Sequence, residues 1–221
     1  MAENILLLGE SGSGKSTSLQ KLPADATLLI NTIGKRLPFR SQFKHVLTSD
    51  DVDKMKRTML KCPDHVKIIV IDDAGYILTN QFMRGHSGDK SGGNTFDLFN
   101  NIADSFWSLI NFTKQLPEDK TVYFVMHVDT NDFGQRRPKT IGKLLSEKVC
   151  IEGMFTVVLR SEVMGDKYCF VTQNEGNDCC KSPIGMFAEK RIPNDLKAVD
   201  DTIREYWGLT PSTNTEEKGE K

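Results

Sequence analysis

The feature that most constrains the fold of this chain is a short glycine-rich segment near its N-terminus, GESGSGKST at residues 9–17. It fits the pattern GxxxxGK[ST] of a phosphate-binding P-loop. A continuous apolar run, Ile5-Leu6-Leu7-Leu8, precedes it, and residues 16–21 have the pattern of the first turns of a helix. Strand, loop and helix in that order are the setting that the motif requires. The segment therefore predicts a nucleoside triphosphate site, against the alternative of a Gly/Ser-rich turn that binds nothing.

The residues of this loop have defined expected roles in binding ATP. Glycines let the backbone turn tightly, so that successive N–H groups converge on phosphate oxygens at a helix N-terminus. Lys15 is expected to reach the β- and γ-phosphates, and the Ser16 hydroxyl is expected to ligate Mg²⁺. The predicted ATP-binding set is Gly9, Glu10, Ser11, Gly12, Ser13, Gly14, Lys15, Ser16 and Thr17.

Another predicted strand, farther along the chain, carries two carboxylates that could act together with the P-loop. The run VKIIVIDD at residues 66–73 has the pattern of a buried strand that ends in Asp72 and Asp73, which is a Walker B pattern. Asp72 is expected to hold Mg²⁺ through water, in the crevice at the carboxyl end of a parallel sheet. Asp73 is placed to orient or deprotonate the attacking water. The alternative is an Asp-Asp turn after a strand, with no such role.

The rest of the chain alternates predicted strands and helices. Strands are predicted at 26–31, 121–127, 155–160 and 167–172, and helices at 52–60, 96–110, 141–148 and 196–207. This order predicts an α/β fold with a RecA-like P-loop NTPase core, a mostly parallel sheet flanked by helices, and a C-terminal antiparallel hairpin. One ATPase domain is expected over residues 1–209. Residues 210–221 carry almost no apolar side chains, which predicts a disordered tail.

Three polar segments lie between these elements. Residues 79–95 are glycine-rich, and residues 129–140 are basic around Gly134 and Pro138, so both are predicted to be mobile loops. Residues 32–40 interleave basic and aromatic side chains. Contact of this third loop with a nucleic-acid strand or a neighbouring subunit, and a solvated loop with Phe39 tucked into the core, are equally open.

Composition limits partners and compartment. The formal net charge is −1, so nucleic-acid affinity must come from local patches. The five cysteines are odd in number and show no CxxC spacing, which favours a reducing cytosol over a disulfide framework. The adjacent pair Cys179-Cys180 lacks the usual spacing of metal ligands. Without a signal peptide or an apolar run of about 18 residues, the sequence predicts a cytoplasmic protein with no membrane partner.

The order of parts resembles the RecA-type ATPase core. In that family, the loop after the Walker B strand and the loop after the next strand both reach single-stranded DNA. The polar residue that ends the intervening strand senses the γ-phosphate. The resemblance therefore implies DNA contact by residues 79–95 and 129–140, and a catalytic, γ-phosphate-sensing role for His127.

A closer resemblance covers most of the chain. The segments GESGSGKST, LPFR at 37–40, IDDAGY at 71–76 and FVTQNEG…KSPIGMF at 170–187 are similar to small phage-encoded ATPases with a RecA core, which act as single-strand annealing recombinases. This resemblance implies a DNA-stimulated ATPase of phage DNA recombination that uses ATP and Mg²⁺. The implied partners are single-stranded DNA and further copies of the chain, with a single-strand binding protein as another candidate.

Six basic residues are candidates for contact with DNA or, in trans, with the γ-phosphate held by a neighbouring subunit. They are Arg84, Lys90, Arg136, Arg137, Lys139 and Lys143.

The chain departs from RecA itself at two points. Its second strand ends in Asn31-Thr32-Ile33, without the glutamate that activates water in RecA. Asp73 is therefore the predicted catalytic base, with Glu10 as the next candidate. A segment like the N-terminal one that links RecA subunits is not expected before the P-loop strand, so any oligomer is expected to use another interface. A nucleotide-dependent switch with little turnover, and a small-molecule or nucleotide kinase, are the competing functions.

Overall fold

A nine-stranded, mostly parallel sheet forms the centre of the computed structural model, which describes residues 1–86 and 95–212. The strands are β1 (Glu3–Gly9), β2 (Thr27–Asn31), β3 (His45–Thr48), β4 (Ile68–Asp72), β5 (Thr121–Thr130), β6 (Arg136–Pro138), β7 (Val157–Met164), β8 (Lys167–Val171) and β9 (Arg191–Pro193). The helices are α1 (Val52–Leu60), α2 (Gly75–Gly85), α3 (Thr95–Lys114) and α4 (Leu196–Trp207). Short 3₁₀ turns span Thr17–Lys21 and Ile151–Met154, and a π-helical turn spans Leu144–Val149.

The strand order across the sheet is β3-β2-β4-β5-β1-β7-β8-β9, with β6 paired to β5. The P-loop strand β1 lies between β5 and β7 and is parallel to both, so that Leu6 is opposite Phe124 on one side and Val158 on the other. The last three strands pair antiparallel. The predicted fold class, a mostly parallel α/β sheet with a C-terminal antiparallel hairpin, is confirmed.

Helices cover both faces of the sheet. One face packs its apolar residues, such as Leu6 and Ile30, against α1, α2 and α3. The opposite face, which includes Ile5 and Leu7, packs against the turn at Thr17–Lys21 and against α4. Residues of both faces are buried along β1, β4 and β5, which explains why these strands are continuous apolar runs and not alternating ones.

A buried polar network fixes α4 to the sheet. Arg204 and Asp200, which are 2 % and 0 % exposed, form an ion pair at 2.6 Å. Asp200 Oδ1 accepts hydrogen bonds from Tyr123 (2.9 Å) and Thr121 (2.6 Å) on β5. The Arg204 guanidinium also donates to the backbone carbonyls of Asp119 and Thr210, each at 2.9 Å, and of Lys67 at 3.0 Å. Because its polar atoms are paired on all sides, this ion pair can remain buried.

Several local features differ from the predictions. The loop predicted to begin at residue 79 is wrong for its first seven residues, because α2 continues to Gly85. Within α2, Ile77 and Leu78 are buried and Phe82 stacks on Phe99. The basic segment 129–140 contains the end of β5 and all of β6, which form a hairpin. Strand β3 was not predicted, because its four residues alternate in exposure at the edge of the sheet.

The predicted tail lies largely outside the described residues. Of its first three members, Thr210 accepts a hydrogen bond from Arg204 at 2.9 Å, and Ser212 is 4 % exposed. Within the described ranges, no helix has the length and apolar character that a membrane crossing requires.

A candidate nucleotide-binding site at the carboxyl edge of the sheet

The P-loop has the backbone shape that its glycines permit. Gly12 and Gly14 have φ values of 78° and 94°, in the left-handed region where side chains are strained. A Cβ atom at Gly9 would lie 2.4 Å from the Ser13 hydroxyl oxygen and 3.0 Å from the Ser161 carbonyl oxygen. The glycines therefore allow the loop to curl back over the end of β1.

Residues of the C-terminal strands brace this loop from one side. The Ser161 hydroxyl on β7 donates a hydrogen bond to the Ser13 carbonyl, and the Asn194 side chain donates to Ser161 Oγ at 3.0 Å. The Tyr168 ring on β8 lies against Gly14, where a Cβ atom would approach Tyr168 Cδ1 to 2.8 Å. The antiparallel addition to the sheet thus supports the phosphate loop directly.

Lys15 lies inside the P-loop. It is 6 % exposed, and its ammonium group donates to the carbonyl oxygens of Gly9 at 2.9 Å and Glu10 at 2.6 Å. Burial lowers the pKa of Lys15, and the charge of Asp73 opposes that shift. The amine is positioned within the curl where the motif predicts bound phosphates.

The Ser16 and Asp72 side chains are in contact. The Ser16 hydroxyl lies 3.1 Å from each carboxylate oxygen of Asp72, which is 1 % exposed at the end of β4. Burial, followed by the charge of Asp73, raises the pKa of Asp72 to about 6. A hydroxyl and a carboxylate are the hard oxygen donors that Mg²⁺ prefers, so these two residues fit the ion.

Asp73 lies at the centre of the site in a conformation that is unusual for a residue with a side chain. Its φ is 57°, and the Thr32 hydroxyl lies 2.9 Å from the carbonyl oxygens of both Asp72 and Asp73. The Asp73 carboxylate is 2 % exposed and lies between Lys35 and His127, with its Oδ1 3.5 Å from His127 Nε2. Burial and then the charge of Lys15 lower the pKa of His127, so its imidazole is neutral near pH 7.

Lys35 is a site residue that the sequence analysis missed. Its ammonium forms an ion pair with Asp73 Oδ2. The Asn31 side chain shapes the loop that carries it, donating to the Lys35 carbonyl at 2.6 Å and accepting from the Gly34 N–H at 2.9 Å. Burial alone would lower the pKa of Lys35, but the hydrogen bond and charge of Asp73 outweigh burial and raise it. The loop after β2 lies beside the Walker B carboxylates because β2 pairs with β4 in the sheet, a strand order that the sequence analysis did not predict.

An open cavity of about 680 Å³ adjoins these groups. Its lining includes Glu10 and Ser11 of the P-loop, together with Lys35, Tyr76 and His127. The volume is in the range of small-molecule sites. The cavity places a basic side chain, a neutral imidazole and the P-loop around one space.

Five of the six basic candidates lie among the described residues, and their side chains have different neighbours. Arg84 pairs with Asp50 at 2.7 Å, Lys143 lies 3.9 Å from Glu147, and Arg137 lies 3.9 Å from Glu152. Lys139 lines the 680 Å³ cavity. Arg136 lines a smaller cavity of about 300 Å³ with P-loop residues 10–13. Lys90 lies outside the described residues.

Comparison with known proteins agrees with the site geometry. A family model described as an AAA domain matches residues 1–183, which include the P-loop, the Walker B strand and β5. A search of curated proteins gives no match.

Proposed function

This chain belongs to the AAA-domain family of P-loop ATPases, and from that premise we propose that it binds ATP with Mg²⁺ and hydrolyses it. The observation that carries the proposal is the convergence of four side chains at one edge of the sheet. Lys15 lies within the P-loop, and the Ser16 hydroxyl is 3.1 Å from Asp72. Asp73 is close enough to interact electrostatically with both Lys15 and Asp72. These are the groups that phosphoryl transfer to water requires.

The binding step follows from the loop. Lys15 would exchange its carbonyl partners for the β- and γ-phosphate oxygens, and the backbone N–H groups of the loop would hold the remaining oxygens. Ser16 and Asp72 would hold Mg²⁺, which neutralises charge on the transferred phosphoryl group when it is bound. Asp72 must lose its proton to do so, since only the carboxylate binds the cation.

The hydrolytic step centres on Asp73. We propose that its carboxylate orients a water molecule and accepts its proton, because it is buried against Lys35 and His127, which both line the cavity that adjoins the P-loop. The Lys35 ammonium forms an ion pair with one oxygen of the Asp73 carboxylate. The γ-phosphate would compete for that ammonium, so ATP would draw Lys35 away and release Asp73 for the water. The neutral imidazole of His127 is available to hydrogen-bond the phosphate without adding charge.

The Lys15→Ala substitution tests the nucleotide site. Removing the ammonium leaves anionic phosphate oxygens uncompensated, so tight ATP binding should be lost in a fluorescence or calorimetric titration. Lys21→Ala is the matched control, because Lys21 is on the surface and pairs with Asp195 outside the P-loop. Unchanged ATP affinity in the Lys15 variant would mean that the P-loop assignment is wrong.

We further propose that single-stranded DNA is the polynucleotide partner and that annealing in phage DNA recombination, by an oligomer of this chain, is the biological role. The resemblance of the sequence to annealing ATPases supports this, as does the hairpin formed by β5 and β6. The turn of the hairpin exposes Phe133 (87 %), and Arg136 and Arg137 follow on β6. An exposed ring next to cations suits base stacking and phosphate contact.

The charge of this hairpin is modest. Residues 129–139 carry three cations (Arg136, Arg137 and Lys139) and two carboxylates (Asp129 and Asp132), which gives a net charge of 3 − 2 = +1. DNA affinity would therefore depend on the positions of individual side chains and not on a strong general field.

A nucleotide-dependent switch with little turnover is the second candidate. The ion pair between Lys35 and Asp73 favours it, because a carboxylate held by an ammonium is not free to accept a proton. Measuring ATP consumption with and without single-stranded DNA separates the two. Turnover that rises with DNA supports the ATPase, and binding without turnover under both conditions supports the switch.

A further inference from the structure

Three possible metal ligands lie at the edge of the sheet opposite the nucleotide site. Asp25 precedes β2, His45 is the first residue of β3, and His65 precedes β4. Strands β3, β2 and β4 are adjacent and parallel, so their starting ends meet at one edge. Sheet topology thus brings together residues that are far apart in sequence.

The geometry of the three side chains suits a single ion. One ligand atom from each residue lies within 4.8 Å of the others, and the two imidazole rings are 5.5 Å apart between centroids. Tetrahedral zinc with bonds of about 2.0–2.1 Å to nitrogen separates its ligand atoms by about 3.4 Å. Small rotations of the side chains therefore suffice to bring the three ligand atoms around one cation.

His45 adds an independent observation. Its Nε2 is buried and has no hydrogen-bond partner within the described residues, although the residue as a whole is half-buried. A buried polar atom without a partner is costly, and such atoms often mark an ion or water that completes the site. This nitrogen is free to coordinate a metal.

We propose that Asp25, His45 and His65 form a binding site for a divalent cation of the zinc class. Two imidazoles and one carboxylate favour Zn²⁺, Co²⁺ or Ni²⁺ over Mg²⁺, which prefers oxygen ligands only. A cavity of about 540 Å³, lined in part by Asp25 and His65, leaves room for water in the remaining coordination positions. The site is thus chemically distinct from the oxygen-donor pair of Ser16 and Asp72.

Lys44 competes with the cation. Its ammonium lies 2.9 Å from Asp25 Oδ1, and both side chains are well exposed, so the pair can open at little cost. Asp64 and Lys67 are the other charged residues that line the adjoining cavity. A bound cation would join the starts of three strands, including the short edge strand β3, and would stabilise that edge by mass action.

Cobalt titration of the full chain tests the proposal. Visible absorption of bound Co²⁺, followed by displacement with Zn²⁺, should show one site that excess Mg²⁺ does not empty. The double variant His45→Gln/His65→Gln should bind at least about 10–100-fold more weakly, a loss that is typical even of the outer partners of a metal. His86→Gln is the matched control and should bind as the natural chain does. Lys44→Met should bind Co²⁺ more tightly, because it removes the competing charge.

Several results would overturn the site. Equal Co²⁺ affinity of the natural chain and the double variant, or binding only near about 1 mM, would show adventitious binding. Unchanged affinity in Lys44→Met would also contradict the assigned ligand Asp25. If the double variant failed to fold, as judged by circular dichroism, Asp25→Asn provides the same test on an exposed residue and should weaken binding likewise. ATP affinity serves as a separate readout, since the nucleotide site lies at the other edge.

Discussion

The Lys35 ammonium forms an ion pair with the Asp73 carboxylate, joining the loop after β2 to the turn after β4. This pair links a cation that faces the 680 Å³ cavity to the carboxylate that we assign as the base. Any anion that enters the cavity competes with Asp73 for Lys35. The pair therefore supplies a physical route by which a γ-phosphate can change the state of the base.

Replacement of Lys35 by methionine should weaken ATP binding more than ADP binding. A hydrogen bond to a charged group contributes about 1.5–3 kcal/mol, so the expected loss for ATP is about 10-fold or more, with little change for ADP. Parallel titrations with the two nucleotides measure this difference. Lys44→Met, a lysine that lies at the opposite edge of the sheet, is the control. An equal loss for both nucleotides would place Lys35 near the β-phosphate or in a structural role instead.

Asp73→Asn should slow hydrolysis far more than it weakens ATP binding. The amide keeps the size of the side chain but cannot accept the proton of the attacking water. Asp72→Asn should instead impair the Mg²⁺-dependent part of both binding and turnover. Single-turnover rates and ATP affinities of both variants separate the two roles. Full turnover by the Asp73 variant would mean that another residue is the catalytic base, with Glu10 as the next candidate.

The pKa of Asp72 predicts a pH dependence of both binding and stability. Burial raises this pKa from 3.8 to about 6, so the carboxyl is protonated below about pH 6 and Mg²⁺-dependent ATP binding should weaken there. A carboxyl with a raised pKa stabilises the fold fully below its unfolded value and loses that contribution as pH rises through about 6. Asp72→Asn should therefore be more stable than the natural chain at pH 8, by up to about 3 kcal/mol without Mg²⁺ or nucleotide.

Urea unfolding at pH 8 and at pH 3.5 measures this effect, and the difference between the two proteins should disappear at the lower pH. Ser16→Ala is a useful companion, because it removes the hydroxyl that lies 3.1 Å from the carboxylate while leaving the buried charge. An Asp72→Asn protein that is less stable at pH 8 would mean that the charged carboxylate makes compensating contacts.

Neutralising Arg136, Arg137 and Lys139 together should weaken binding to single-stranded DNA equally across sequences. For every DNA phosphate that is no longer neutralised, the slope of log affinity against log salt should become shallower by about 0.7. ATP affinity without DNA should change little if the three residues face DNA alone, and a loss of ATP affinity would instead indicate phosphate contact by Arg136 or Lys139, each of which lines a cavity with P-loop residues. If one of the three acts in trans on ATP, turnover without DNA should fall while the salt slope stays constant.

The control for this experiment is a variant with the same loss of charge on another surface. Three exposed cations of the α1 region serve this purpose: Lys54, Arg57 and Lys61. If both triple variants showed the salt slope of the natural chain, the β5–β6 hairpin would have no part in DNA binding.

The parts of the site that the sequence predicted are those encoded by adjacent residues. Lys15 and Ser16 belong to one motif, and Asp72 ends an apolar run with the pattern of a buried strand, so their meeting follows from the parallel pairing of β1 and β4 with β5. Lys35 could not be placed in the same way. Its position depends on how the irregular loop after β2 folds, and the Asn31 side chain determines that through two hydrogen bonds.

The difference between features encoded by adjacent residues and features set by tertiary contacts also explains the errors in the predicted secondary structure. Helix α2 carries asparagine, glutamine and arginine beside its buried residues, so local composition resembled a loop although Ile77 and Leu78 pack into the core. Strand β3 is short and exposes Val46 (53 %), so it has no apolar run to reveal it. Its pairing with β2 is a tertiary contact that composition does not encode.

The ion pair of Arg204 and Asp200 limits how far the chain can be truncated at its C-terminal end. The family match ends at residue 183. Helix α4 lies beyond that point, yet its residues Leu196, Val199 and Ile203 pack against one face of the sheet. Asp200 of the same helix accepts a hydrogen bond from the Tyr123 hydroxyl. A chain terminated after residue 183 would expose the part of that face that α4 covers and would leave Tyr123 without its partner. The family match therefore ends before a helix that is needed to bury this face of the sheet.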